Sequence, residues 1–136
     1  MVDTTQSIKE ENIPKLKAAL KLLLKQFDVS EYGTHVSLQT FAKESTLHKK
    51  FNDVNYPSQK AVLELIDDIG LLGKPTRLDH AIQMADEEMF TKESGDRPGV
   101  LSVMVLVTDG RSHPNTDVAE YMRHVRAIKV RQLHVF

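Results

Sequence analysis

At 136 residues the chain is long enough for one hydrophobic core and too short for two. Its 18 Lys and Arg against 19 Asp and Glu leave a net charge of −1, no electrostatic footprint for nucleic acid or an anionic membrane surface. Without cysteine there is no disulfide framework, thiolate metal site or cysteine nucleophile, and no apolar run reaches the length of a membrane span.

Met1 and Val2 lead directly into Asp3-Thr4-Thr5-Gln6-Ser7, a polar cluster that combines a carboxylate with hydroxyls. Asn12 is a candidate N-cap and Pro14 suits a first helical turn, so a helix is expected to about Phe27. Leu16, Ala19, Leu20, Leu23 and Phe27 form its apolar stripe, widened by Leu22 and Leu24, with lysines around the other side. Tyr32-Gly33 marks a turn. Thr34 to Phe41 alternates as a strand, with Val36, Leu38 and Thr40 on one face. Leu47, Lys49 and Phe51 alternate after a connection too brief for a crossover helix, which predicts an antiparallel hairpin at a sheet edge. Ser58 can cap a second helix through Ile69, striped by Ala61, Leu65 and Ile69. After a loop over Gly70 to Pro75, Leu78, Ile82, Ala85 and Met89 trace a third helix, and Thr91 to Gly99 is a surface loop.

Val103 to Val107 is an unbroken apolar run, as a strand covered on both faces requires. It breaks into Thr108-Asp109-Gly110, at the carboxyl end where open α/β sheets bind ligands. A fourth helix carries Val118, Met122 and Val125 on one side, and Gln132 to Phe136 is a further strand. This order predicts an α/β doubly wound sheet, its first strand beside the central one. A buried strand is expected ahead of Asp3, represented here by Met1 and Val2 alone, and nothing follows the last strand. The chain therefore reads as a domain cut at both ends, with a gap that bares apolar surface on the neighbouring strands.

Asp3, Thr5 and Ser7 stand at a two-residue spacing, so in an extended loop their side chains share one side. Asp109 adds a second carboxylate and Thr76 a hydroxyl, each from a separate loop. An oxygen-only set with few charges suits a hard cation, Mg²⁺ in particular, which takes one or two carboxylates and keeps open or water-filled positions.

Asp3-Thr4-Thr5-Gln6-Ser7 resembles the Asp-x-Ser-x-Ser motif of the von Willebrand factor A domain, also called the integrin I-type domain. Thr76 and Thr108-Asp109-Gly110 fall where that family carries its third hydroxyl and second aspartate. The stretches Val36 to Phe41 and Phe90 to Val100, continuing through Val107 to Ser112, are similar to the extracellular matrix members, as in matrilins and collagens VI and XII. The resemblance spans nearly the whole chain and implies a Rossmann-like, mostly parallel sheet flanked by helices, in a single partial domain over 1–136. It implies a metal-ion-dependent adhesion site of Asp3, Thr5, Ser7, Thr76 and Asp109, holding Mg²⁺, Mn²⁺ or Ca²⁺. It further implies a non-enzymatic, secreted matrix module whose protein ligand, collagen or another matrix protein, offers a carboxylate to the cation. Thr5 replaces the family's usual Ser but keeps the hydroxyl, and Thr4 and Gln6 stand where small residues are common.

Other readings compete. Ser, Thr and Asp at a helix entry can simply cap it, and Thr76 can cap the third helix. An intracellular relative serving as a scaffold in a multiprotein assembly is the alternative function. Gly73-Lys74 fails as a phosphate-binding loop, because Asp68 and Pro75 stand where glycine and a hydroxyl residue are needed. A phosphotransferase using Asp3 as nucleophile lacks its second acid, since Thr5 stands at that position. The six histidines (35, 48, 80, 113, 124 and 134) are expected on surfaces or strands, His113 near the Asp109 loop.

Overall fold

The computed structural model describes residues 1–110 and 117–128 and the backbone of 132–135. Its elements in chain order are β1 (Val2–Asp3), α1 (Ile13–Leu24), β2 (Leu38–Phe41), β3 (Ser45–Lys49) and α2 (Gln59–Asp67). α3 (Leu78–Met84), β4 (Val103–Leu106), α4 (Val118–Ala127) and β5 (Gln132–Val135) follow. β1 runs parallel to β2 with Val2 opposite Thr40 and Asp3 opposite Phe41, and β3 pairs antiparallel to β2 as the predicted edge hairpin. β4 and β5 are parallel. A parallel bridge from Val2 to Val107 joins the two groups, giving the order β3-β2-β1-β4-β5. The first strand does lie beside the central one.

Two apolar clusters cover this sheet. Phe41, Ala81, Ile82, Ala85, Met89, Met104, Leu106 and Ile128 form one, centred on α3. Val2, Leu24, Leu38, Val62, Leu65, Ile66 and Ile69 form the other, under α1 and α2. Ser58 caps α2 as expected, its Oγ accepting from Ala61 N at 3.4 Å. Asn12 does not cap α1: its amide donates instead to Ile8 O at 2.9 Å, because two 3-10 turns over Gln6–Ile8 and Glu10–Asn12 lead into the helix. The third helix does not stay α-helical to Met89; Ala85–Met89 is a π-helical turn. Past it, Gly95 at φ +86° lies so close to Asn52 that a side chain there would collide with it.

Three expectations about burial are corrected. The Leu23 and Phe27 side of α1 stays substantially exposed, and Leu24 is the residue that sinks into the core. The central strand is covered on one face: Met104 and Leu106 are buried, while Val103 is 42% exposed. The first strand of the hairpin begins at Leu38 and not at Thr34. In α4, Val118 and Met122 turn outward, and His124, 1% exposed, is the inward residue together with Tyr121 and Val125. His124 is buried because its ring satisfies two acids, Asp86 Oδ2 at 2.7 Å from Nδ1 and Glu120 Oε1 at 3.0 Å from Nε2. Arg111, Ser112, His113 and the side chain of His134 lie outside the described residues.

Candidate metal centre

β1 delivers Asp3 to the carboxyl end of the sheet with its backbone fixed on both sides. Asp3 N donates to Val107 O at 2.8 Å and Thr4 N to Phe41 O at 2.9 Å. The extended backbone then sends alternate side chains opposite ways. Thr4 points into the sheet, where its hydroxyl donates to Phe41 O at 3.1 Å, so it does not crowd the loop above. Gln6 is exposed.

Asp3, Thr5 and Ser7 face one another. Asp3 Oδ1 accepts from Thr5 N at 2.9 Å and from Thr5 Oγ1 at 2.7 Å, and Thr5 Oγ1 meets Ser7 Oγ at 2.6 Å. Thr76 joins from its own loop, its hydroxyl donating to Thr5 Oγ1 at 3.3 Å. That loop is stitched to the first by Leu72 N to Thr4 O at 2.8 Å and Gln6 N to Gly73 O at 3.2 Å. Gly73 makes the turn at φ +101°, a conformation that side chains resist.

The third loop contributes a residue that sequence reasoning treated only as part of a turn. Thr108 Oγ1 donates to Asp3 Oδ2 at 2.8 Å and accepts from Gly110 N at 3.2 Å. Val107 bridges to Val2 and so places the following residue beside Asp3, a neighbourhood set by strand pairing and not by local sequence. Asp109 is exposed on this same loop.

Electrostatics distinguishes this cluster from an ordinary polar turn. Asp3 and Thr5 are fully buried and Thr76 nearly so. Among the described residues no Lys, Arg or His forms an ion pair with Asp3. Arg77, next to Thr76, is committed elsewhere: it grips both oxygens of Asp79 at 2.9 and 2.7 Å. The Arg77 hydrogen bonds hold the Asp79 carboxyl down at about 2. A buried carboxylate surrounded by neutral hydroxyls is costly unless a cation accompanies it. Four hydroxyls and one carboxylate from three loops, with a second carboxylate on the rim, have the composition that a hard divalent ion accepts.

Comparisons with known proteins agree with this architecture. A profile of the von Willebrand factor type A domain matches residues 1–136. Matrilin-3 of Gallus gallus is 32% identical over 114 residues, which cover 82% of this chain and 25% of that protein. Vitrin of Homo sapiens is 25% identical over 128 residues, 94% of this chain and 18% of that protein. The chain thus spans about a quarter or less of these curated relatives. Among solved structures, proximal thread matrix protein 1 from the mussel byssus superposes with a TM-score of 0.82 at 19% identity, covering 99% of this chain and 36% of that one. A further structure of that protein, with a zinc-occupied MIDAS motif, gives 0.80 at 22% identity over 99% of this chain and 35% of that one. Manganese-loaded TRAP protein of Plasmodium vivax gives 0.81 at 18% identity over 98% of this chain and 53% of that one. At these identities the structures speak for the fold.

Proposed function

The chain belongs to the von Willebrand factor type A domain family, and from that premise we propose that it is a non-enzymatic adhesion module of the extracellular matrix, binding a protein partner through a divalent cation. Asp3, Thr5, Ser7, Thr76 and Asp109 would hold the ion, some directly and some through water. When bound, the cation supplies a Lewis-acidic position that a carboxylate of the partner can fill. The observation that carries the reading is the Asp3 carboxylate: it is fully buried, it accepts hydrogen bonds from Thr5 and Thr108, and it has no cationic partner among the described residues.

Each residue has a separable task. Asp3 provides the buried negative charge. Thr5, Ser7 and Thr76 offer neutral oxygens, which leave the ion electron-poor and receptive to an outside acid. Their hydroxyls already converge within hydrogen-bonding distance of one another, so little rearrangement is needed. Asp109, exposed on the same loop as Thr108, would complete the set from the solvent side, where a partner would approach. The zinc and manganese carried by the solved neighbours support a divalent ion, and kinship to matrilin and vitrin supports a matrix protein, collagen among the candidates, as ligand.

The test is isothermal titration of the chain with Mn²⁺ or Mg²⁺, alongside Asp109→Ala. Saturable binding is expected in the parent and its loss in the variant, with the far-UV circular dichroism unchanged. Equal binding by both proteins would remove Asp109 from the site.

A further inference from the structure

Asp79 is a buried carboxylate outside the donor set, although it stands three residues beyond Thr76. It lies in the first turn of α3, where an acid suits the helix N-terminus, and Arg77 claims both of its oxygens. Nη2 of the same guanidinium also donates to Nε2 of His80 at 2.7 Å, so the arginine folds forward over the turn that follows it. Its backbone is fixed as well. Arg77 N donates to Ala42 O at 2.9 Å, just past the end of β2, and Arg77 O accepts from Ala81 N at 3.2 Å. Ala42 follows Phe41, the residue opposite Asp3 in the sheet.

A cation in this place opposes the binding of another. From Arg77 the route to Asp3 is one peptide unit to Thr76, then hydrogen bonds of 3.3 Å to Thr5 and 2.7 Å to Asp3 Oδ1. That span is comparable to the ~8 Å over which physiological salt screens exposed charges, and partly buried charges are screened less. Among the described residues, Lys9, Lys43 and Lys74 also belong to the neighbouring segments, but they are exposed and their charge is met by water. Arg77 is half-buried. Unopposed, its guanidinium would repel a divalent ion and offer the Asp3 carboxylate a cationic partner. Held by Asp79 in bidentate geometry, the pair carries no net charge.

We propose that Asp79 is a positioning residue of the metal centre, acting through Arg77: it retains the guanidinium on α3 and so keeps the Asp3 site open to a divalent cation. This role presupposes that Asp3 holds an ion, and it makes the affinity depend on an acid that touches none of the donors. A pair that merely shapes the Thr76 loop behaves differently, because each substitution in it weakens binding and a second one does not restore it.

Calorimetric titration of the 136-residue chain with Mn²⁺ separates the two. Asp79→Asn keeps the shape but leaves Arg77 uncompensated, so Mn²⁺ affinity is expected to fall about tenfold. That deficit should shrink when NaCl is raised to ~0.5 M. Arg77→Gln removes the competing cation and should bind at least as tightly as the parent. The double variant, with both charges gone, should return to within about threefold of the parent. Circular dichroism checks that each variant is folded, and if Arg77→Gln is not, Asp79→Asn and the double variant carry the comparison. Absence of saturable binding by the parent overturns the metal reading and this role with it. Binding by the parent that Asp79→Asn leaves unchanged, a deficit indifferent to salt, or a double variant as weak as Asp79→Asn overturns the role of Asp79 alone.

Discussion

The two ends of the sheet use the same strands in opposite ways. At the carboxyl end, Asp3, Thr5, Ser7, Thr76 and Thr108 satisfy one another through hydrogen bonds, and the Asp3 carboxylate has no cationic partner among the described residues. At the amino end the surface is apolar and its rim faces solvent. A polar cluster that closes on itself can persist as a preorganised site, whereas apolar surface gains free energy only from what covers it.

The sharpest contrast is in packing. Phe41→Ala, at a fully buried ring beside the carboxyl end, is expected to cost about 3–5 kcal/mol in urea unfolding. Val105→Ala, at a half-buried position of β4, should cost less than about 1 kcal/mol, because less apolar surface is withdrawn from water there. Equal losses would erase the difference between the poles.

Charge gives the next effect. Asp3→Asn preserves shape but removes the buried charge, so Mn²⁺ affinity by titration calorimetry should fall by at least ~100-fold. The melting temperature of the cation-free protein should stay level or rise, since the variant no longer buries an uncompensated carboxylate. A variant still stabilised by Mn²⁺ would show that the ion lies elsewhere. Backbone strain comes third. Gly73→Ala meets no steric obstacle, but at φ +101° it should cost about 1–2 kcal/mol and weaken Mn²⁺ binding through the displaced Thr76 loop.

The smallest effect is a pH dependence away from both poles. The hydrogen bond to Asp86 raises the pKa of His124 above its ordinary 6.5, and Glu120 adds to it against the opposing burial. The folded state thus holds its proton more tightly than the unfolded chain. The resulting stabilisation is complete below pH 6.5 and is lost as pH rises through the folded value. The difference in urea midpoint between the parent and Asp86→Asn should narrow as pH rises from 6 to 9.

Much of this was legible in the sequence, for identifiable reasons. The short connection after Phe41 permits little besides a hairpin, and Ser58 caps its helix through a local bond. The Asp3, Thr5 and Ser7 spacing places three oxygens on one side of an extended chain wherever that chain lies. What was misread had one local cause and one distant in sequence. Asn12 had the chemistry of a cap, but two preceding 3-10 turns turned its side chain back to Ile8. His124 read as a surface residue because its acids include Asp86, which is 38 positions away.

The amino-acid order by itself determined the alternation of strands and helices and the residue types offered at each loop, because periodicity, capping and turn chemistry act within a few residues. Only the tertiary structure decided that Thr108 reaches Asp3, that Thr76 reaches Thr5, and that the central strand is covered on one face. Those outcomes depend on which strands become neighbours, and strand pairing is a long-range choice that no local pattern encodes.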